Sequence, residues 1–76
     1  MAKIAILGFG TVGSGVYEVL RRNAASVSRR AGEPVEVKYI LDPKDFTGNP
    51  VEPLVVKSID VILQDPEIRV VVETIG

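Results

Sequence analysis

The 76-residue sequence has no histidine, no cysteine and no tryptophan. Those absences remove the donor atoms of zinc fingers, the thiol and imidazole nucleophiles, imidazole acid–base catalysis and any disulfide scaffold. They leave the redox compartment open. An excess of one charge is also missing: nine basic residues offset ten acidic ones for a net charge of −1, and the basic residues are scattered. A nucleic-acid partner asks for a basic stripe or patch, so none is expected. No apolar run approaches the roughly 20 residues that cross a bilayer, and no membrane partner is expected either. Met1-Ala2-Lys3 leads straight into a strand-like run, without the charged leader, apolar stretch and cleavage site of a signal peptide. The expected compartment is the cytoplasm.

What the sequence does have is 46% apolar residues, the proportion of a globular domain. A chain this short buries only about 60% of its unfolded surface, and it stops on an apolar strand with nothing following to cover the sheet edge. Residues 1–76 are therefore expected to be part of something larger. Ile4 to Leu7 is an unbroken apolar run ending at Gly8, as suits a strand covered on both faces. From Thr11 to about Ala31, the residues Val12, Val16, Val19, Leu20, Ala24, Val27 and Ala31 recur at helical spacing. That predicts one long amphipathic helix, with Arg21, Arg22, Arg29 and Arg30 on its solvated side and Gly32 as its C-cap.

Val35 to Leu41 predicts a second strand, stopped by Asp42-Pro43. Pro43, Gly48, Asn49, Pro50 and Pro53 predict an irregular connection. Leu54 to Val56 reads as a short third strand at a sheet edge, and Ser58 as the cap of a brief second helix through Gln64. The β-branched run Val70-Val71-Val72 marks a fourth strand over Ile68 to Ile75. Strands alternating with helices predict an α/β fold of the doubly wound, Rossmann type. About four parallel strands in the order 3-2-1-4 and two helices are expected, an incomplete version of that fold.

Between the first strand and the first helix, Gly8-Phe9-Gly10-Thr11-Val12-Gly13 spells G-x-G-x-x-G, in the strand–turn–helix context that gives this motif meaning. Gly8 allows the tight turn, Gly10 lets a pyrophosphate approach the backbone, and Gly13 lets helix and strand pack closely. Amides near Thr11, Val12 and Gly13 then face the phosphates at the positive end of the helix. No Gly-Lys-Ser/Thr follows, so the turn is not a P-loop. The expected ligand is a dinucleotide, NADP or NAD.

Asp42, at the end of the second strand, is placed to accept hydrogen bonds from the adenosine ribose hydroxyls. It lies 29 positions after Gly13, farther than the usual spacing of about 20, because the first helix is long. Two residues on, Lys44 can pair with the extra phosphate of NADP, which Asp42 would repel, so the choice of dinucleotide stays open. Glu73, Thr74, Ile75 and Gly76 end the fourth strand at the crevice beside the first, where Thr74 and the nearby backbone can touch the nicotinamide ribose or ring, whereas Glu73 reads as a solvated strand-end charge. No two carboxylates are placed for hydrolytic acid–base work, so a glycosidase is excluded.

Read together, I-A-I-L-G-F-G-T-V-G-S-G-V over Ile4 to Val16, the Asp65-Pro66-Glu67-Ile68 stretch and the V-V-V-E-T-I-G ending resemble the opening part of bacterial homoserine dehydrogenases. The resemblance covers essentially the whole sequence. It implies NAD(P)H-dependent interconversion of aspartate 4-semialdehyde and homoserine, on the route to threonine, methionine and isoleucine. It also implies that Phe9, Thr11, Val12 and Gly13 contact the pyrophosphate and its ribose, and that Thr74 and Gly76 lie on the nicotinamide side. Family members often carry an Arg just after the second strand for the NADP phosphate; here Leu41-Asp42-Pro43-Lys44 leaves only Lys44 to replace it. The family's catalytic lysines, metal-binding loop and dimer-forming domain lie beyond position 76. Small-molecule substrate and a homo-oligomeric state are accordingly expected of the full-length protein alone, and the 76 residues by themselves are expected to be inactive. Two alternatives stay open: another amino-acid or semialdehyde dehydrogenase of this fold, or a regulatory module that senses the dinucleotide without turning it over.

Overall fold

A computed structural model describes residues 2–75. Strand β1 (Ala2–Leu7) is followed by helices α1 (Thr11–Arg22) and α2 (Ala24–Ala31), then by strand β2 (Val35–Leu41). A single 3-10 turn over Glu52–Leu54 leads into the two-residue strand β3 (Val55–Val56), helix α3 (Ile59–Leu63) and strand β4 (Ile68–Glu73). All pairings are parallel and the order across the sheet is β3-β2-β1-β4, the expected arrangement of a Rossmann-like α/β fold. Parallel neighbours need crossovers: α1 and α2 supply the one from β1 to β2 and α3 lies between β3 and β4, while β2 reaches β3 through an irregular stretch and the 3-10 turn.

The central strand is the most deeply covered. Ile4, Ala5 and Ile6 of β1 and Ile40 of β2 are buried, with Val51 from the long connection and Ile62 of α3. Ile6, Ile40 and Val51 form one cluster, against which Phe9, Val16, Tyr17, Val37, Phe46, Leu54 and Val55 pack. An apolar run without alternation is what a strand sandwiched between layers needs.

The long first helix of the sequence reading is two helices. At Asn23 the backbone leaves helical geometry (φ −108°, ψ 25°), and its amide and side-chain amide both donate to the Val19 carbonyl, at 3.0 and 3.1 Å. Asparagine competes for backbone partners in this way and so ends helices that apolar spacing alone would continue. The apolar face is also narrower than expected. Gly13, Val16, Tyr17 and Leu20 carry the contact, while Val12 and Val19 are 63% and 57% exposed. Gly32 caps α2 in the left-handed region (φ 80°), and Ser58 caps α3 by accepting the Asp60 amide at 3.2 Å. Both suit their residue types.

Pairing along β1 and β2 slips by one residue between Ile4–Val37 and Ala5–Tyr39, leaving Lys38 as the extra residue. Consecutive strand residues normally point to opposite faces. Here Lys38 and Tyr39 both reach Asp65: the lysine Nζ and the tyrosine hydroxyl donate to the same Oδ2, at 2.5 and 2.7 Å, and Lys38 also donates to Glu67 at 2.7 Å. The cluster ties β2 to the turn that launches β4. Among the described residues no helix is long and apolar enough to cross a membrane.

Candidate functional site

The carboxyl ends of all four strands open on one side of the sheet, and the glycine-rich turn sits in their midst. The Gly8 amide donates to the Leu41 carbonyl at 2.8 Å, the last ladder-like bond before the chain turns away at φ +90°. A side chain is strained at that angle, and a Cβ there would stand 2.9 Å from Ile75 Cγ1, so glycine is needed twice over. Gly13 is needed for a different reason, because its Cβ would lie 2.1 Å from the Gly8 carbonyl oxygen. At Gly10 a Cβ would meet nothing within 4 Å. The three glycines thus divide as the motif predicts into turn, open approach and close packing.

Gly10 caps α1 with no side-chain bond, and the first helical hydrogen bond runs from the Ser14 amide to the Gly10 carbonyl at 2.9 Å. The amides of Thr11, Val12 and Gly13 precede it. None of them has an acceptor among the described residues. These are the donors that the first turn of a helix leaves over, at the end where the dipole is positive. Phe9 turns the other way: its ring packs edge-on against Tyr17 and Phe46, with centroids 5.8 and 5.7 Å away, so the side chain roots the turn in the core.

Asp42 reaches the site from β2, and it is only 5% exposed. Its Oδ2 accepts the Phe9 amide at 2.8 Å and its Oδ1 accepts the Lys44 amide at 2.9 Å. Burial by itself pushes this carboxyl up; the two amides and the charges of Lys44 and Lys57 more than reverse that, and the net direction is down. Asp42 is therefore ionised and main-chain bonded. Thr74 approaches from the end of β4. Its amide donates to the Leu7 carbonyl at 2.9 Å, and its hydroxyl lies 2.8 Å from the Leu7 oxygen and 2.9 Å from the Gly8 oxygen. One hydroxyl proton serves one carbonyl at a time, so Thr74 braces the turn from beneath. Gly76, named with Thr74 in the sequence reading, lies outside the described residues.

Lys44 stands at the rim with Nζ 5.9 Å from the Phe46 ring centroid. Lys57, which the sequence reading passed over, faces the same ring at 5.8 Å and donates to the carbonyls of Asp42, at 2.9 Å, and Lys44. The signal for it was its position directly after the apolar run Leu54 to Val56, hence at the carboxyl end of an edge strand beside Asp42. Gly8, Phe9, Gly10, Asp42, Lys44, Lys57, Ile59, Thr74 and Ile75, with Leu41 and Pro43, line one open groove of about 640 Å³. That volume lies in the range of small-molecule and cofactor sites. The structure thus brings Gly8, Phe9 and Gly10 of the turn together with Asp42, Lys44 and Thr74, while Thr11, Val12 and Gly13 are not among the residues that line the groove.

No family model matches the sequence. Homoserine dehydrogenase of Pseudomonas aeruginosa is 46% identical over 78 residues, an overlap that takes in 97% of this chain and 17% of the relative. The Methylobacillus glycogenes homoserine dehydrogenase is 38% identical over 78 residues, covering 96% of this chain and 18% of that protein. Among solved structures, homoserine dehydrogenase from Thiobacillus denitrificans superposes with a TM-score of 0.83 at 35% identity, over 99% of this chain and 18% of its own. The chain thus spans less than a fifth of the length of these relatives. Along nearly its whole length, in sequence and in backbone, it is similar to one segment of the homoserine dehydrogenases.

Proposed function

We propose that residues 1–76 form the first part of a dinucleotide-binding domain, and that the protein carrying them is a cytoplasmic oxidoreductase interconverting aspartate 4-semialdehyde and homoserine. The observation that carries the binding role is that the Thr11, Val12 and Gly13 amides, at the start of α1, have no acceptor among the described residues, directly after a groove-lining Gly10 that offers no side chain. A pyrophosphate supplies the acceptors those donors lack, at the positive end of α1. The residues present fit NAD(P) on this account: open space at Gly10, where a Cβ would meet nothing within 4 Å, lysines at the rim, and apolar Ile59 and Ile75 along the groove. The bound dinucleotide supplies the hydride chemistry, and this chain binds and orients it. The substrate, the groups that move protons and the oligomeric assembly belong to the proposed parent protein.

The extra phosphate of NADP is assigned to Lys44, whose ammonium stands at the rim, with no Arg available in Leu41-Asp42-Pro43-Lys44. Fluorescence titration of the intact protein with NADH and NADPH, alongside an assay of homoserine-dependent dinucleotide reduction, tests the reading. Saturable binding of a reduced dinucleotide with turnover of homoserine is the expected result. Binding without turnover would leave a sensing module, and no binding would end the proposal. The isolated 76 residues are expected to bind weakly or not at all, because they span less than a fifth of the length of the related proteins.

A further inference from the structure

Asp42 has the acidic side chain expected of a ribose ligand but is committed elsewhere. Both carboxylate oxygens already accept a main-chain amide, from Phe9 and from Lys44, and the residue is 5% exposed. Phe9 is the residue between the two glycines of the turn, 33 positions away in sequence. Two loops that leave neighbouring parallel strands in the same direction are therefore held together by one buried anion. The Lys57 ammonium closes the arrangement from the other side by donating to the Asp42 carbonyl at 2.9 Å.

We propose that Asp42 is a positioning residue, which takes the Phe9 amide for itself and so aims the following amides of the turn at the pyrophosphate, instead of reading the adenosine ribose. This rests on the dinucleotide reading above. The physical reason is a division of donors. A peptide whose N–H is held by a carboxylate resists rotation, and the chain beyond it enters α1 with the Thr11, Val12 and Gly13 amides left without acceptors among the described residues. Amide bonds to an ionised acceptor are stronger than neutral ones, so this is the strongest restraint on the turn among its described contacts. The two roles predict different things for the 2′-position of the ribose. A ribose ligand discriminates between a 2′-hydroxyl and a 2′-phosphate, whereas losing a strut for the turn weakens both dinucleotides.

The test is Asp42→Asn in the intact protein, titrated with NADH and with NADPH. The amide keeps one acceptor oxygen but sets an N–H₂ against a main-chain N–H. Both dissociation constants should rise, that for NADH by about tenfold or more, the size of a lost hydrogen bond to a charged group, and that for NADPH by somewhat less, because the charge that repels its phosphate is removed as well. NADPH affinity that holds or improves while NADH weakens would overturn the proposal and restore the ribose role; unchanged affinities would overturn it too. Should the variant fail to fold, the wild-type protein still decides: the ¹⁵N-labelled Phe9 amide should be slow to exchange, and its shift should titrate with the Asp42 carboxyl. Rapid exchange there would remove the strut. Wild-type protein that binds neither nucleotide while its Phe9 amide stays protected would sink the dinucleotide reading and leave the anchor between the loops in place.

Discussion

Gly13 packs against the main chain of Gly8 so closely that a β-carbon on the first would lie 2.1 Å from the carbonyl oxygen of the second. The contact lets α1 begin directly over the end of β1, and Thr74 shares it, since its hydroxyl is 2.9 Å from the same oxygen. No flexible side chain is there to yield. Gly13→Ala is therefore expected to cost about 3 kcal/mol or more, the upper end of what overpacking does, and a thermal melt followed by circular dichroism measures it.

Gly10→Val separates binding from folding. The site is open and φ is −83°, which any residue adopts, so the cost to stability should stay near the ~1 kcal/mol of a poorer N-cap. The added isopropyl group would stand where the proposed phosphates approach. Dinucleotide affinity should fall by far more than that cost implies, and equal titration curves for variant and wild type would refute this account of the turn.

Thr74→Val tests the brace under the turn. Valine keeps the shape and loses the donor to the Leu7 and Gly8 carbonyls, at a cost of about 1 kcal/mol. Thr74→Ser should recover most of it. Chemical denaturation of the three proteins gives the comparison.

Lys44→Ala bears on the choice of dinucleotide. An exposed ammonium–phosphate pair contributes roughly 0.2–1 kcal/mol, so affinity for NADPH should drop by about two- to fivefold while that for NADH hardly moves. Competition binding with the two nucleotides reads the difference, and added salt should shrink it.

Stability should also depend on pH through the Lys38 cluster. Lys38, the Tyr39 hydroxyl and the Glu67 amide hold the Asp65 carboxyl down at about 2, from an ordinary 3.8. A depressed carboxyl stabilises the fold in full above the unfolded value and loses that contribution as pH falls from 3.8 toward 2. Lys38 is raised by its bonds to Asp65 and Glu67, so its contribution is complete below 10.5 and fades as pH climbs beyond. Asp65→Asn should flatten the acid limb of a stability–pH curve, which denaturant titrations between pH 2 and pH 5 would record.

Much of this was legible in the sequence because it is local. The apolar runs marked the strands, the motif in its strand–turn–helix context marked the site, and Gly32 and Ser58 marked helix ends that need a particular residue type. What escaped was either masked by its local pattern or depends on contacts between distant parts of the chain. The break at Asn23 was hidden because Ala24 and Val27 keep the helical spacing across it. The 3-10 turn over Glu52–Leu54 was hidden in a stretch of helix breakers. Asp42 announces itself as a ribose ligand by its place at a strand end, and only the folded chain shows its oxygens turned onto Phe9 and Lys44. Lys57 became visible as part of the rim once β3 had set it beside Asp42.

Val70 and Val71 follow one another on β4, so they point to opposite sides of the sheet, and they are 47% and 49% exposed. A ribbon greasy on both sides, with one border unpaired, invites lateral stacking of identical copies. For a preparation of these 76 residues alone, dilution would then matter more than cooling, and light scattering should grow steeply with protein concentration.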